Sequence, residues 1–585
     1  MAEETIPLSD ASSLTDIPLV VGVTSHRNLA VSEIEPIRQQ VRDFFAYLKH
    51  DFPGLPLVVL SALAEGGDQL VAREALVAGA RLIAPLPLEP TSYIEDFDAE
   101  SRTAFAELCE RAEVVHLPLV RGNTLASIAM HGEARDRQYA QAGVYVASHC
   151  HILLTLWDGR ESELLGGTAQ VVRYALHGVM PGLVERRRNA RAALDNIDES
   201  IVYHIVCSRT DASGAMQAPL ASLTPLQTRW ISQKHACPAD EGMPEEFHRM
   251  FARMQEFNHD QHAYADEIQP DATAFGSDAH GTSGDVLDRL FAAADGLAIH
   301  FQKRVLWAMR STHVLAALTG VAFVSYSDLP TDLPYQFYGI YVFIALFGAG
   351  VLLAWLAHRR DWHRKYVDDR ALAEGLRVQR WWQRAGIVEA GSSAFAHDNF
   401  LRKQDIELGW IRNVMRAASL DSDDRAPASD AALATVVDEW VGAPGIGGQL
   451  DYYARKTEHR SRMHRASQSL GRSCLWASIS TGVLLALFQR QLGSDNTSLL
   501  VSVMGVLAIV AAASESYAYR KGDKELAKQY RYMRDIFANA RTRLDATNDA
   551  GGKREILREL GEAALAEHSE WALMHRERPL ENARF

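Results

Sequence analysis

Residues Tyr335–Ala357 read YQFYGIYVFIALFGAGVLLAWLA, 23 consecutive residues without a formal charge. A helix rises about 1.5 Å per residue, so about 20 apolar residues cross the hydrocarbon of a bilayer. This stretch qualifies as a membrane-spanning helix by itself, and it decides how its neighbours are read. Ser311–Ser327 (STHVLAALTGVAFVSYS) is uncharged and reaches spanning length when extended back through Val305–Met309, past Arg310. Ser473–Gln489 (SCLWASISTGVLLALFQ) and Asn496–Ser514 (NTSLLVSVMGVLAIVAAAS) are two further apolar runs. Each of these three is marginal alone, and a buried core helix has the same composition. Their pairing argues for the membrane: two apolar stretches joined by a short polar loop occur twice, with loops at Asp328–Pro334 and Arg490–Asp495. Four transmembrane helices are therefore expected, at about 306–327, 335–357, 473–489 and 496–515.

The flanks agree. His358–Arg384 and Arg520–Arg543 each hold eight Lys and Arg, while Asp328–Pro334 holds none. By the positive-inside rule both termini and the central segment face the cytoplasm, which predicts a multi-pass protein of the cell inner membrane. Trp307, Tyr335, Tyr338, Trp355, Trp476, Tyr517 and Tyr519 lie near span ends, where aromatic side chains anchor at the interface. Small residues recur four apart at Ala316 and Gly320, Gly350 and Ala354, Ser478 and Gly482, and Ala508 and Ala512, a spacing that lets helices approach closely in lipid. Glu515 is an acidic group near the end of the fourth span. It is a candidate pore or gating residue, or else a headgroup-level carboxylate paired with Arg520 or Lys521. His313, in the first span, reads as structural or interfacial.

The two hairpins look duplicated. Asp369-Arg370-Ala371-Leu372-Ala373 matches Asp523-Lys524-Glu525-Leu526-Ala527 at an offset of 154, with Arg377 over Arg531 and Arg380 over Arg534. Trp410 and Trp571 hold loosely comparable places further on. Asp421–Asp430 (DSDDRAPASD) marks the boundary between the two, and Val436–Arg465 is helical apart from Gly442–Gly448.

Upstream the pattern changes. Leu19–Val23, Leu57–Leu63, Arg81–Leu86, Val114–Leu117 and Ile152–Trp157 are short apolar runs, as strands buried on both faces should be. Helical stretches separate them at Val31–Lys49, Asp68–Ala78, Tyr93–Arg111 and Glu133–Ala147. This alternation implies a doubly wound parallel sheet, whose ligands bind at the carboxyl ends of the strands. Small and polar residues gather there: Gly22-Val23-Thr24-Ser25-His26-Arg27 after the first strand, Glu65-Gly66-Gly67-Asp68 after the second, and Asp158-Gly159 with Gly166-Gly167-Thr168 after the fifth. Paired glycines at a helix start let backbone N–H groups approach an anion. Arg27 can pair with a phosphate, and Asp68 or Asp158 can take ribose hydroxyls. Leu183–Leu194 reads as a basic helix (Arg186, Arg187, Arg188, Arg191) and Ile201–Ser208 as a sixth strand. Residues 211–294 read as a proline-interrupted insertion or linker with short helices.

Composition sets outer limits. The net charge of −14 excludes a protein coated in positive charge for nucleic acid, so no nucleic-acid partner is expected, and 47% hydrophobic residues exclude disorder throughout. The mean hydropathy of −0.13 is that of a soluble protein only because it averages unlike parts. Five scattered cysteines with no CxxC pair fit a reducing compartment, and His149-Cys150-His151 reads as buried structure rather than a metal site. Met1–Thr5 lacks the basic and apolar regions of a cleavable signal peptide.

The glycine-rich loops of the first third resemble the SLOG superfamily, the Rossmann-like group of LOG phosphoribohydrolases, DprA-like proteins and nucleotide sensors. The resemblance spans roughly residues 15–210 and implies a site for a nucleotide-derived ligand, ADP-ribose-like or cyclic. It places Tyr139, on the helix before the fifth strand, against that ligand. The LOG enzymes carry a catalytic glutamate where this chain has Val171, which implies a reader rather than a hydrolase, with Glu65 or Asp68 left as a substitute carboxylate for acid–base work. The hairpins, over about 295–420 and 445–580, resemble the SLATT group of two-transmembrane effectors, which accompany SLOG domains in bacterial conflict.

The expectation is thus an α/β Rossmann-like N-terminal domain (1–210), a linker (211–294), two hairpin units with long cytoplasmic helices (295–420 and 445–585) and a linker between them (421–444). The function implied is a homo-oligomeric sensor-effector in bacterial antiphage defence that binds a nucleotide-derived second messenger and gates an ion channel or pore, its partners being that small molecule and the lipid bilayer. The alternative is a membrane-tethered nucleotide or N-glycoside hydrolase.

Overall fold

Short runs of Val, Ile and Leu bounded by glycine and polar turns become strands because both of their faces can be buried. The computed structural model describes residues 15–184, 200–211, 213–268, 286–328, 338–387, 400–401, 406–420, 429–488 and 490–577. The basic cluster Arg186, Arg187, Arg188 and Arg191, the loop residues 329–334 and the boundary residues 421–428 lie outside the described residues. The chain divides into two compact units, Met1–Ala294 with Ala371–Ala428, and Asp295–Arg370 with Ser429–Phe585.

The first unit is an α/β domain. Its sheet contains β1 (Leu19–Ser25), β2 (Leu57–Leu60), β3 (Arg81–Leu86), β4 (Glu113–His116), β5 (Ile152–Trp157) and β6 (Ile201–Val206). A short hairpin, β7 (Arg209–Thr210) with β8 (Met216–Gln217), follows, and then β9 (Thr228–Ile231) and β10 (Ala236–Pro238). The sheet order is β10-β9-β6-β5-β1-β2-β3-β4. The pairs among β1–β6 are parallel, and β9 and β10 add antiparallel strands at one edge. The order runs from β1 outward in one direction through β4 and then returns to the other side with β5. The crevice between β1 and β5 is therefore the point where the winding reverses.

The helices of this unit include α1 (Ile34–Asp51), α2 (Gly67–Val77), α3 (Ala99–Cys109), α4 (Glu133–His149), α5 (Thr168–His177) and α6 (Glu245–Ala263). Two corrections to the sequence reading follow. Residues 93–111 are not one helix: the chain breaks at Phe97, and the Asp98 side chain caps α3 by accepting from the Ser101 amide at 2.7 Å. Residues 211–294 are not a linker with short helices: they supply β9, β10 and the 19-residue α6, whose Phe247, Met250, Phe251, Met254 and Phe257 are buried.

Successive strand residues point to opposite faces, which separates the two layers. Val202 joins the core beneath α4 and α5, while its neighbour Tyr203 stacks on Phe44 of α1 at 4.4 Å and meets Trp230 at 4.7 Å. Burying each such side chain contributes roughly 1.5–3 kcal/mol.

A third layer element comes from far along the sequence. The helix α10 (Gly409–Leu420) is buried along its whole length. Its polar groups are matched to the sheet and loops: His151 Nε2 meets the Asn413 carbonyl at 2.9 Å, Arg416 donates to the Cys150 carbonyl at 2.9 Å, and Arg412 donates to the Leu401 carbonyl at 3.1 Å. The compact unit therefore takes in residues that the sequence division assigned to the first hairpin unit. The His-Cys-His run serves this packing. His151 Nδ1 accepts from the Val20 amide, and burial pushes its imidazole down to about 3 and that of His149 down to about 4.

The first hairpin begins in α7 (Val286–Asp328), continues in α8 (Tyr338–Arg359) and leaves through α9 (Trp362–Arg384). The boundary between the units falls inside α7 and inside α9. Within the first unit, Asp288 of α7 pairs with Arg380 at 2.6 Å and Arg384 at 3.0 Å of α9.

The second unit is helical. Besides α8 and its shares of α7 and α9 it contains α11 (Gly448–Phe488), α12 (Ser494–Lys521), α13 (Asp523–Ala546) and α14 (Ala550–Glu577). Four helices are long and apolar enough to cross a membrane, with mean hydropathy of 1.2, 2.4, 1.4 and 2.1 over their most apolar windows. Leu318, Phe347, Leu352, Trp476, Leu484 and Leu499 are exposed on them. Such surface favours hydrocarbon over water. Small residues admit close contacts: Ile509 packs over Gly320, Val324 over Gly505, and Met504 over Gly482, while Ser478 donates to the Met504 carbonyl at 3.0 Å. Each half bends after its second apolar helix. The left-handed residue is Asp361 (φ 50°) in the first and Gly522 (φ 64°) in the second. At the 154-residue offset Gly522 corresponds to Asp368, so the first bend comes two helical turns early. The halves share an order of elements rather than a residue register.

Beyond the bends, charged groups are paired. Asp523 binds Arg460 at 2.8 Å and Lys521 at 2.9 Å, Asp368 binds Arg576 at 3.0 Å, and Arg370 binds Asp295 at 2.8 Å.

Candidate functional site

The end of β1 and the starts of α2 and α5 converge because glycines let backbone meet backbone. A Cβ at Gly66 would sit 1.9 Å from the Arg27 carbonyl oxygen, and one at Gly67 would sit 2.6 Å from Ser25 Oγ. The Gly67 amide donates to the His26 carbonyl at 3.3 Å. On the other side Thr168 Oγ1 donates to the Ser25 carbonyl at 2.8 Å, and Gly166 abuts the backbone of Tyr139 and Ala140 on α4. These contacts leave a cavity of about 850 Å³ beyond the carboxyl ends of the strands. That volume suits a nucleotide-sized molecule.

The sequence-derived residues divide into two groups. Thr24, Ser25, His26, Arg27, Asp68, Tyr139, Gly166, Gly167 and Thr168 line the cavity. Gly22, Glu65, Gly66, Asp158 and Gly159 stand behind it, as does the Gly67 that lines no wall. Gly22 lets α4 lie flush on β1, since a Cβ there would meet Val146 and Cys150 at 2.8 Å. Glu65 faces α3, with Oε1 3.4 Å from the Asp98 amide, and burial raises its carboxyl above the usual value. Asp158 is buried and fully engaged: it binds Arg209 at 2.8 Å and His26 at 3.1 Å, and it accepts from the Arg160 amide at 3.0 Å. Burial alone would raise its carboxyl, but these partners outweigh it and hold it low. Asp158, one of the two candidates for ribose hydroxyls, thus has its carboxylate directed to partners within the protein. It orients His26 and Arg209.

Gly167 does line the cavity at the start of α5, so it is Gly66 that serves α2 by its close approach alone. The first amides of α5, from Thr168 and Ala169, are N-terminal donors of a ten-residue helix. Arg27 is exposed, makes no hydrogen bond or ion pair among the described residues, and lies over the Tyr139 ring at 5.8 Å. A guanidinium with no hydrogen bond or ion pair among the described residues, lining the same cavity as helix N-terminal amides, is a place for an anion. Val171, the position of the LOG glutamate, is buried with its Cγ2 against Gly143 of α4. It offers no proton to a reaction.

Asp68 is the titratable group of greatest interest. It accepts from Ser25 Oγ at 2.6 Å and is buried, and burial raises its carboxyl from the ordinary 3.8 to about 7 against the pull of Ser25 and Arg27. The folded chain therefore holds a proton that the unfolded chain releases, so this contribution is present at low pH and is lost as pH rises from about 4 to 7. Carboxyls held low, such as Asp158, act in the opposite sense, so across that window the thermal midpoint of the full chain is expected to fall relative to that of a variant without the Asp68 carboxyl. Asp68→Asn is that variant, compared by differential scanning fluorimetry. Parallel curves would remove the assignment.

The sequence reading missed Asp96, His131, Asp136 and Arg209, which also line the cavity. Asp96 was hidden inside a supposed continuous helix. Arg209 follows β6 directly, and the rule that strand carboxyl ends carry ligand residues points to it.

In the second unit Glu515 is exposed on α12 and lies beside Gly471 of α11, with Oε2 3.7 Å from a Cβ built there. It has no ion pair among the described residues, and Lys521 turns to Asp523 instead. His313 bonds the Met309 carbonyl at 2.7 Å, a local helix contact.

Comparison of the chain with protein-family models, with curated proteins and with solved structures finds no match.

Proposed function

We propose that the protein is a membrane sensor-effector: the α/β unit binds a nucleotide-derived second messenger, and the apolar helices of several copies respond by opening a path for ions. One observation carries this reading. A nucleotide-sized cavity with an unpaired Arg27 and the start of α5 on its wall occurs in a chain with four helices able to cross a membrane. The SLOG-like loops and SLATT-like hairpins support the same assignment, as does Val171 in place of a catalytic glutamate. On this reading the α/β unit and both termini are cytoplasmic, the membrane is the inner membrane of a bacterium, and the setting is antiphage defence. Four helices per chain are too few for a wide pore, so the effector is a homo-oligomer, with Glu515 a candidate for its lining.

The test is ion flux from proteoliposomes in the presence of ADP-ribose-like and cyclic nucleotides. Flux that depends on one of them is expected. Arg27→Ala is expected to weaken that ligand by roughly tenfold or more, since a charge-assisted hydrogen bond is lost. No ligand-dependent flux from a folded oligomer would count against the effector.

Asp68 favours a second reading, a membrane-tethered nucleotide hydrolase. A carboxyl near 7 on a cavity wall is matched to acid–base work at neutral pH. Product formation that Asp68→Asn abolishes would establish it.

A further inference from the structure

Asp96 closes the one-turn helix Ile94–Asp96 and lies on the cavity wall. Its two oxygens have different surroundings. Oδ2 receives the Tyr139 hydroxyl together with Arg135 Nε at 3.2 Å and Nη2 at 3.0 Å. Oδ1 is buried and accepts no hydrogen bond, and His131 Nε2 lies 3.7 Å from it on an exposed ring. The Asp96 side chain is 8% exposed. A buried carboxylate oxygen without a donor is costly, by about 1–3 kcal/mol, unless a partner arrives. Three donors on Oδ2 hold the carboxylate still and keep it ionised, so Oδ1 is a fixed acceptor.

Its position relative to the anion end is set by Tyr139. The backbone of Tyr139 abuts Gly166 at the start of α5, its ring carries Arg27, and its hydroxyl reaches Asp96. The anion donors and the unpaired acceptor are therefore one tyrosine side chain apart. In a nucleotide, the group beside the 5′-phosphate is the ribose. Asp158 and Asp68, the sequence-derived candidates for its hydroxyls, are already engaged, by Arg209 and His26 and by Ser25 respectively.

We propose that Asp96 is the specificity residue that reads a ribose hydroxyl of the ligand, through Oδ1, while Arg27 and the start of α5 hold the adjoining phosphate. This rests on the reading of the cavity as a nucleotide site and names the part of the ligand that Asp96 selects. The hydroxyl donates to Oδ1, and no bond is made or broken.

The test uses the full chain in detergent, titrated calorimetrically with inorganic phosphate, ribose 5-phosphate and 2-deoxyribose 5-phosphate. The wild type is expected to prefer ribose 5-phosphate over its deoxy counterpart by roughly tenfold or more, because a site built around a hydroxyl penalises its absence. Asp96→Asn is expected to bring that ratio close to one, while inorganic phosphate binds as before and the thermal midpoint certifies the fold. Equal binding of the two sugars by the wild type overturns the assignment and leaves the anion site standing, and this comparison needs no variant. A ratio unchanged in folded Asp96→Asn also overturns it. Failure of all three probes to bind removes the nucleotide reading itself and the inference with it.

Discussion

Replacing Gly66 by alanine is expected to destabilise the α/β unit by about 3–5 kcal/mol. Two terms add. Gly66 has φ 89°, a backbone conformation that a Cβ strains, and that Cβ would lie 1.9 Å from the Arg27 carbonyl oxygen. Neither α2 nor the end of β1 can yield easily, because the Gly67 amide is bonded to the His26 carbonyl and Asp68 is bonded to Ser25. Gly122 supplies the control. It has φ 94° but nothing within 4 Å of an added Cβ, so Gly122→Ala bears the strain alone, about 1 kcal/mol. Urea unfolding followed by tryptophan fluorescence of the full chain separates the two. Equal losses would mean that the approach of α2 to β1 is looser than described.

The second large effect concerns Leu352, which is 62% exposed on α8, in the most apolar of the four windows. An arginine at the centre of an inserted helix costs about 2.5–3.5 kcal/mol. Leu352→Arg is expected to divert a large share of the protein from the alkali-resistant membrane fraction into aggregates. The same change at Val77, 77% exposed on α2, is expected to leave membrane recovery unchanged. Equal recovery of both variants would argue that α8 is not a span.

How much of this was readable beforehand depends on whether one segment held its own signal. β3 and β5 occur at the limits expected from their apolar runs, and β1, β2, β4 and β6 within a few residues, because a strand buried on both faces needs little context. β9 and β10 were missed. They are short, β9 comes soon after Pro225 and β10 ends on Pro238, and they are stable only because β6 offers an edge, which is information held elsewhere in the chain. The candidate site shows the same division. Glycines and the Arg27 loop announce themselves by motif. Asp96 matters through three donors drawn from α4, and the engagement of Asp158 through Arg209, which follows β6, and no local pattern encodes either.

The buried α10 also orders the protein's manufacture. A ribosome delivers the sheet first, then both helices of the first hairpin, and only then the helix whose Arg416 and Asn413 complete contacts with Cys150 and His151. The nascent sheet must wait, with its α10 groove unfilled, while the first hairpin is handed to the insertion machinery. Completion of the α/β unit thus comes only after the first apolar hairpin has been made, and a chain stalled before residue 409 releases an unfinished sheet, a substrate for chaperones and proteases rather than a finished α/β unit.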